Sequence, residues 1–267
     1  MSASRPILLL AVLFVAASFL AWYFSWFGRG LSDADISKYL ADEKNPRHVQ
    51  HALLQIQQRM ERNEPSAKNW YPQLVALSEN QETEFRLTVA WLMGFDNKAP
   101  EFHTALLKLL HDPEPIVRRN AALALVRFDD SSGREELLAI LKPYVLKAPV
   151  DGTIASSMRE GTTIARRTPL TRIQTSDGKV VELRSPLPGR VEKIAKPNGS
   201  QVKQDEELMT INSDEESVFE ALRGLALIGT TEDLPIIQSY ANSDEVSKRV
   251  KEQASLTAQA ISNRLHR

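Results

Sequence analysis

Side chains able to do chemistry are scarce in this sequence of 267 residues. Cysteine is absent, which removes disulfides, thiolate nucleophiles and cysteine-ligated metals at once. There is no G-x-S-x-G, no P-loop, no H-E-x-x-H and no Gly-rich dinucleotide turn. His48 and His51 stand three apart on a predicted helix, so both imidazoles fall on one side. Without a carboxylate or a third ligand they make a poor metal site and read as solvated helix histidines. Arg118-Arg119 and Arg166-Arg167 are basic pairs of structural or solvated type. Glu82 and Glu84, like Glu135 and Glu136, read as helix-start acids that favour the positive end of the helix dipole. Asp177-Gly178 is a two-residue turn signal, with Lys179 just beyond it. No catalytic residue, metal site or bound cofactor is expected, and the chain reads as non-enzymatic.

Charge adds a second exclusion. The 33 basic and 34 acidic residues leave a net charge of −1, without the basic excess or stripe that a nucleic-acid partner wants.

The middle of the chain carries a duplicated pattern. Ala148-Pro149-Val150-Asp151-Gly152-Thr153-Ile154 recurs 37 residues later as Ser185-Pro186-Leu187-Pro188-Gly189-Arg190-Val191. Gly161-Thr162-Thr163-Ile164 recurs as Gly199-Ser200-Gln201-Val202, and Leu170-Thr171-Arg172-Ile173 as Leu208-Met209-Thr210-Ile211, both at nearly the same offset. Short apolar strands punctuated by Pro and Gly turns, run twice, predict two interlocking β-halves.

The two halves resemble the biotinyl/lipoyl-like barrel-sandwich fold in its membrane fusion (HlyD-like) form, over residues 145–213. Each half follows A/S-P-x-x-G-x-V, then G-x-x-V, then L-x-x-I, with Ile standing for Val at some anchors. Enzymic carriers of that fold attach biotin or lipoate to a hairpin Lys between the halves, which implies Lys179 as a weak modification site. Lys179 lies one residue off that position, and neither Met-Lys-Met nor Asp-Lys-Ala is present. Membrane fusion proteins insert a long helical hairpin there, whereas only Gln174–Lys179 joins the halves here. The resemblance therefore implies a non-covalent adaptor or spacer.

Around this module the period is helical. Val49, Leu53 and Ile56 share one face, as do Phe85, Val89, Leu92 and Met93, and then Val117, Ala121, Ala124, Leu125 and Phe128. Val218, Leu222, Leu225 and Leu227 form a fourth stripe, and Val250, Ala254, Leu256 and Ile261 a fifth. Shorter apolar helices fall between them at Trp70–Leu77, Phe102–Leu110, Leu137–Leu141 and Leu234–Tyr240. Asp112-Pro113 marks a turn, and Thr230-Thr231 followed by Glu232 and Asp233 marks a capped helix start. The step from Phe85 to Val117 equals the step from Val218 to Val250, which sets the length of one repeat. The run from Leu106 to Leu125 resembles a HEAT repeat, and the pair Arg118-Arg119 fits the position where an Arg of that family bridges neighbouring repeats.

The step from Val117 to Val218 is much longer. Its excess over one repeat equals the length of 145–213. The module is expected inside a single helical repeat, after a short helix Arg134–Lys142 and before a long helix Glu215–Gly229.

Ile7–Phe27 carries no charge and is long enough to cross a bilayer core as a helix. Trp22, Tyr23, Trp26 and Phe27 gather at its end, as in an aromatic belt. It is longer than a signal-peptide core and ends in bulky aromatics, which favours a retained anchor.

The expected architecture is α+β and multidomain: an anchor in 1–30, HEAT-like helical repeats in 31–144, the β domain in 145–213 and more repeats in 214–267. The expected role is a membrane-anchored scaffold that binds protein partners. The alternatives are an atypical membrane fusion component of a transport system and a covalent biotin or lipoate carrier. The expected location is a bacterial inner membrane with the bulk of the chain in the periplasm.

Overall fold

A computed structural model describes the backbone of residues 4–26 and 30–264, and side chains at 9–20 and 30–264. Two compact units divide the chain, Met1–Gln73 and Leu74–Arg267.

The first unit holds α1 (Ser4–Trp26), α2 (Asp33–Leu40), α3 (Pro46–Glu61) and a 3₁₀ turn (Pro65–Trp70). Ser32 and Asp35 form a reciprocal capping box at the start of α2. Pro46 opens α3, where its missing N–H costs nothing. Ile36, Val49, Leu53, Ile56 and Trp70 are buried. Trp70 keeps its indole N–H satisfied by donating to Ser37 Oγ at 3.0 Å. The side chains described in α1 are apolar and exposed, Phe14 at 74% and Leu10 at 66%. Among the described residues no helix is long and apolar enough to cross a membrane, so the expected span is not met there. The two ends of Ile7–Phe27, including Trp22, Tyr23, Trp26 and Phe27, lie outside the described side chains.

The second unit is helical repeats with an inset of strands. Four short–long helix pairs succeed one another. They are α4 (Tyr71–Leu77) with α5 (Thr83–Met93), α6 (Pro100–Leu109) with α7 (Pro115–Val126), α8 (Arg134–Ile140) with α9 (Glu215–Ile228), and α10 (Leu234–Asn242) with α11 (Lys248–Arg264). The long helices α5, α7, α9 and α11 pack side by side in that order. Phe85, Val117, Val218 and Val250 take matching buried places in them. Glycine permits the close approach, since a side chain at Gly224 would strike Leu137 and Val126.

Two expected core positions are corrected. Leu227 and Leu256 are 64% and 59% exposed. The α11 core face is instead Val250, Ala254, Thr257 and Ile261, because a helix returns to one side every three or four residues. Buried Thr257 avoids a lost hydrogen bond by donating to Leu222 O at 2.9 Å.

The helical core runs straight across the inset. Ala122, Leu137, Leu138, Val218, Leu222, Leu225, Ile237, Val250 and Ile261 belong to one buried cluster. Arg134 at the start of α8 grips Asp233 at the start of α10, with Nε to Oδ2 at 2.9 Å and Nη2 to Oδ1 at 2.6 Å. The two are far apart in sequence, on opposite sides of the inset. The same Asp233 closes the Thr230 capping box by accepting the Thr230 N–H at 2.8 Å.

Between α8 and α9 lie eight strands: β1 (Tyr144–Lys147), β2 (Gly152–Ser157), β3 (Thr163–Ile164), β4 (Pro169–Gln174), β5 (Val180–Arg184), β6 (Gly189–Ile194), β7 (Gln201–Val202) and β8 (Glu207–Ser213). They form two antiparallel four-stranded sheets, ordered β1-β8-β6-β3 and β5-β4-β2-β7. Advancing every strand number by four, cyclically, turns one order into the other. The sequence duplication is thus a duplication of sheets, and each half gives strands to both. Gly152 and Gly189, equivalent in the two halves, each sit where a Cβ would collide with a carbonyl on a neighbouring strand, that of Gln174 or of Asn212. The apolar sides fill two small cores, one around Val191 and Ile211, the other around Ile154 and Ile173.

Arg134→Met tests the bridge between α8 and α10. Asp233, only 2% exposed, would keep its buried charge without its cation. The expected cost in urea denaturation is about 3 kcal/mol. A cost under about 1 kcal/mol would show that the pair does not hold α8 to α10.

Candidate functional site

Two places in the second unit gather polar groups in unusual settings: the root of the β module and a groove on the long helices. The root is best understood from the repeats before it. Arg86 in α5 donates Nη1 to the carbonyls of Asn80 and Gln81, at 2.8 and 2.9 Å, clamping the turn between α4 and α5. Its Nε and Nη2 hold Asp112 of the next turn at 2.6 and 3.0 Å, and that carboxylate raises the arginine's basicity. Arg118, one repeat further on, makes the same clamp on Asp112 O and Pro113 O at 2.9 and 3.2 Å and reaches Glu136 at 2.7 Å. Of the pair Arg118-Arg119 that the HEAT resemblance placed at the bridging position, Arg118 makes these contacts. In the third pair the matching position is Phe219, and the turn it would clamp is the β module.

Arg119 lies at this root, 5% exposed, and its Nη1 has no hydrogen-bond partner. Burial brings its pKa down to about 10, against the pull of Glu136 and Asp214. Those two acids belong to α8 and to the N-cap of α9, on either side of the inset. Tyr144, the first residue of β1, lies in the field of both Arg118 and Arg119, and burial pushes its phenol up. The solvated alternative for Arg119 is corrected: it is buried.

Arg166 and Arg167 form the tight turn between β3 and β4, and both reach Glu84 in the first turn of α5. Glu84 is therefore more than a helix-start acid. Glu136 likewise takes Arg118, and Glu135 pairs with its neighbour Arg134 at 2.9 Å. Glu82 is the N-cap residue of α5. Lys179 stands at the hairpin between β4 and β5, its side chain 81% exposed and paired with Asp177 at 2.8 Å.

The histidines lie in the first unit and are less solvated than expected. His48 Nδ1 is 2.7 Å from Asp42 Oδ2, and its ring stacks on Tyr39 at 4.3 Å. His51 Nε2 is buried without a partner, and burial lowers its basicity, with the charge of His48 adding to the effect. Among the described residues no three His, Asp or Glu side chains are placed to hold a metal ion.

The groove is about 600 Å³ and crosses all four long helices, lined by Trp91, Asn120, Arg127, Arg223, Leu227 and Gln253 among others. Trp91 is 41% exposed. Arg127 lies 5.2 Å over the Phe95 ring and donates to Gly94 O at 3.2 Å, and Arg223 pairs with Glu220 at 2.8 Å. Arg223 is thus neutralised by Glu220 while Arg127 keeps its charge, so apolar, amide and basic groups share the trough between Trp91 and Leu227. Periodicity failed to find it because Leu227 fits an apolar stripe by type but not by angle.

Residues 71–158 match the family of HEAT repeats, a third of the chain, and the match runs past α8 into β2. No curated protein matches the chain significantly. A structure of a single-chain, multi-domain long-chain acyl-CoA carboxylase is similar at 15% identity and a TM-score of 0.26, over 42% of this chain and 13% of that one. An engineered protein is similar at 14% identity and a TM-score of 0.44, over 85% of this chain and 79% of that one. HEAT repeats commonly bind other proteins along extended surfaces, which is consistent with protein partners.

Arg119→Met tests the root. Glu136 keeps Arg118, and Asp214 keeps the Ser217 N–H it caps at 2.7 Å. Removing an incompletely paired buried charge should leave stability unchanged or raise it, by about 1–3 kcal/mol in urea denaturation at pH 7. The folded-state pKa lies below the unfolded one, so above about pH 10 the unfolded chain holds the extra proton, and the wild type should gain stability as pH rises from there toward the ordinary arginine range. The variant should lose that rise. A fall of more than about 2 kcal/mol at pH 7 would make Arg119 an essential ion-pair partner.

Proposed function

We propose that this protein is a membrane-anchored, non-catalytic scaffold that holds a protein partner along the groove of its long helices. The observation that carries this reading is the exposure of Trp91 and Leu227 facing one trough. Exposed large apolar side chains grouped around a concavity mark binding surfaces, and Trp is enriched among the residues that dominate binding energy. The HEAT repeats support a role of this kind.

The β module is proposed to be a biotinyl/lipoyl-like domain used as a second adaptor surface. The interchangeable strand orders of its sheets and the paired glycines support that identity. The anchor is proposed to be α1, 23 residues of helix, about 34 Å at 1.5 Å per residue. Its exposed apolar side chains favour lipid as their cover. The location proposed is a bacterial inner membrane with the repeats on the periplasmic side.

A membrane fusion role is the less favoured reading. The β4–β5 connection closes at once, with Thr175 N–H donating to Lys179 O at 2.9 Å, which leaves no helical arm between the halves.

In-cell crosslinking of membrane fractions, followed by mass spectrometry, tests the scaffold. Trp91→Ala with Leu227→Asp should lower the recovered partner about tenfold or more, the effect of truncating a hot-spot residue, with helix content unchanged. A partner recovered equally from the variant would overturn the groove as its seat.

A further inference from the structure

We infer that the β module is a swivelling unit whose orientation on the helical repeats is set by a latch, the Glu84 carboxylate gripped by Arg166 and Arg167. Three features of its attachment argue for motion. Its two cores contain no helix residue, and the buried cluster that joins α8 and α9 to their neighbours contains no module residue. The chain enters at Pro143-Tyr144 and leaves at Ser213-Asp214. These ends are neighbours, because β1 pairs with β8 with Tyr144 opposite Ile211. Only residues 141–143 on one side and Asp214 on the other join the module to α8 and α9, two short links side by side about which a compact body can turn. A cleft of about 380 Å³ opens on one side of the module, against the turn before α7. Another of about 510 Å³ opens on the other side, against Tyr240 and Val246. Room therefore exists for rotation either way.

The duplication supplies an internal control for the latch. The turn after β3 recurs after β7. Arg167 and Asp205, equivalent in the two halves, both have left-handed backbones, φ 68° and 67°. Each donates its N–H to an equivalent carbonyl, Ser185 O at 2.7 Å and Ala148 O at 2.8 Å. The unusual backbone is thus a property of the fold in both halves. What differs is the side chains, since Arg166-Arg167 in one turn stand where Gln204-Asp205 stand in the other. Only the basic copy ends on a helix carboxylate. The first turn is also stiff, with Arg184 Nη1 donating to Arg167 O at 3.0 Å. Arg166 and Glu84 are mostly buried, 21% and 29% exposed, so solvent weakens their attraction less than that of surface pairs. Two guanidiniums on a rigid turn, sharing one carboxylate, fix an angle that packing leaves free.

The absence of native cysteine makes the test direct. Spin labels are placed on Glu101→Cys in α6 and Ser176→Cys at the β4–β5 hairpin, both exposed, in the full-length chain, and pulsed EPR gives their distance distribution. The latched protein should give one narrow distribution. Glu84→Gln should at least double its width or shift its mean, with melting of the helical repeats unchanged. Arg166→Gln with Arg167→Gln should do the same from the other side, and the charge swap Glu84→Arg with Arg166→Glu and Arg167→Glu should restore the narrow form. Distributions that stay narrow and unshifted in the folded Gln variants would overturn the latch.

Discussion

The antiparallel pairing of β1 with β8 is the constraint on which the rest of the second unit depends. It sets Tyr144 opposite Ile211 and so returns the chain close to where it left the helices. The whole stretch from Val145 to Ser213 then costs the repeat almost nothing in geometry. Helix α8 can end and α9 begin as though an ordinary turn joined them, and Leu137 and Leu138 still meet Val218 and Leu222 in one core. Were the module's ends far apart, one of those helices would have to leave the stack, and buried apolar surface would be lost with it.

The helices meet this constraint from their side. In the two preceding pairs an arginine of the long helix saturates the carbonyls of its own turn, Arg86 in one and Arg118 in the next. A clamp of that kind needs a short turn folded back over the helix start. The opened pair has no such turn, and its matching residue is Phe219. Stability there comes from elsewhere: Asp214 caps α9, and Arg134 joins the start of α8 to the start of α10, at the end of α8 away from the inset. Arg119 remains at the root as a buried cation that its surroundings only partly satisfy.

Much of this was legible in the sequence, for identifiable reasons. The β duplication survives in Pro and Gly anchors because those residues answer to backbone demands that recur in both halves, as Gly152 and Gly189 do. The helical repeat survives in Phe85, Val117, Val218 and Val250, since each fills the same layer. The cap at Thr230 is local, so local pattern finds it. The grip of Arg166 and Arg167 on Glu84, far away along the chain, has no local signature. The same holds for the burial of Arg119, since a doublet of arginines reads alike whether one faces water or a neighbouring helix. Leu227 and Leu256 misled because apolar type was weighed above helical angle. The groove follows from the stacking of four long helices, and no single stretch of sequence contains it.

Excision of the module tests the central claim most directly. Residues 143–213 would be replaced by a short Asp-Pro turn like that at Asp112-Pro113, and helix content and thermal unfolding would be followed by circular dichroism. If α8 and α9 are one repeat held open by a closed insert, the shortened chain keeps its helices and melts in a single cooperative transition. If it instead loses helical structure from α8 onward, the strands are an integral wall of the repeat stack and the account is wrong.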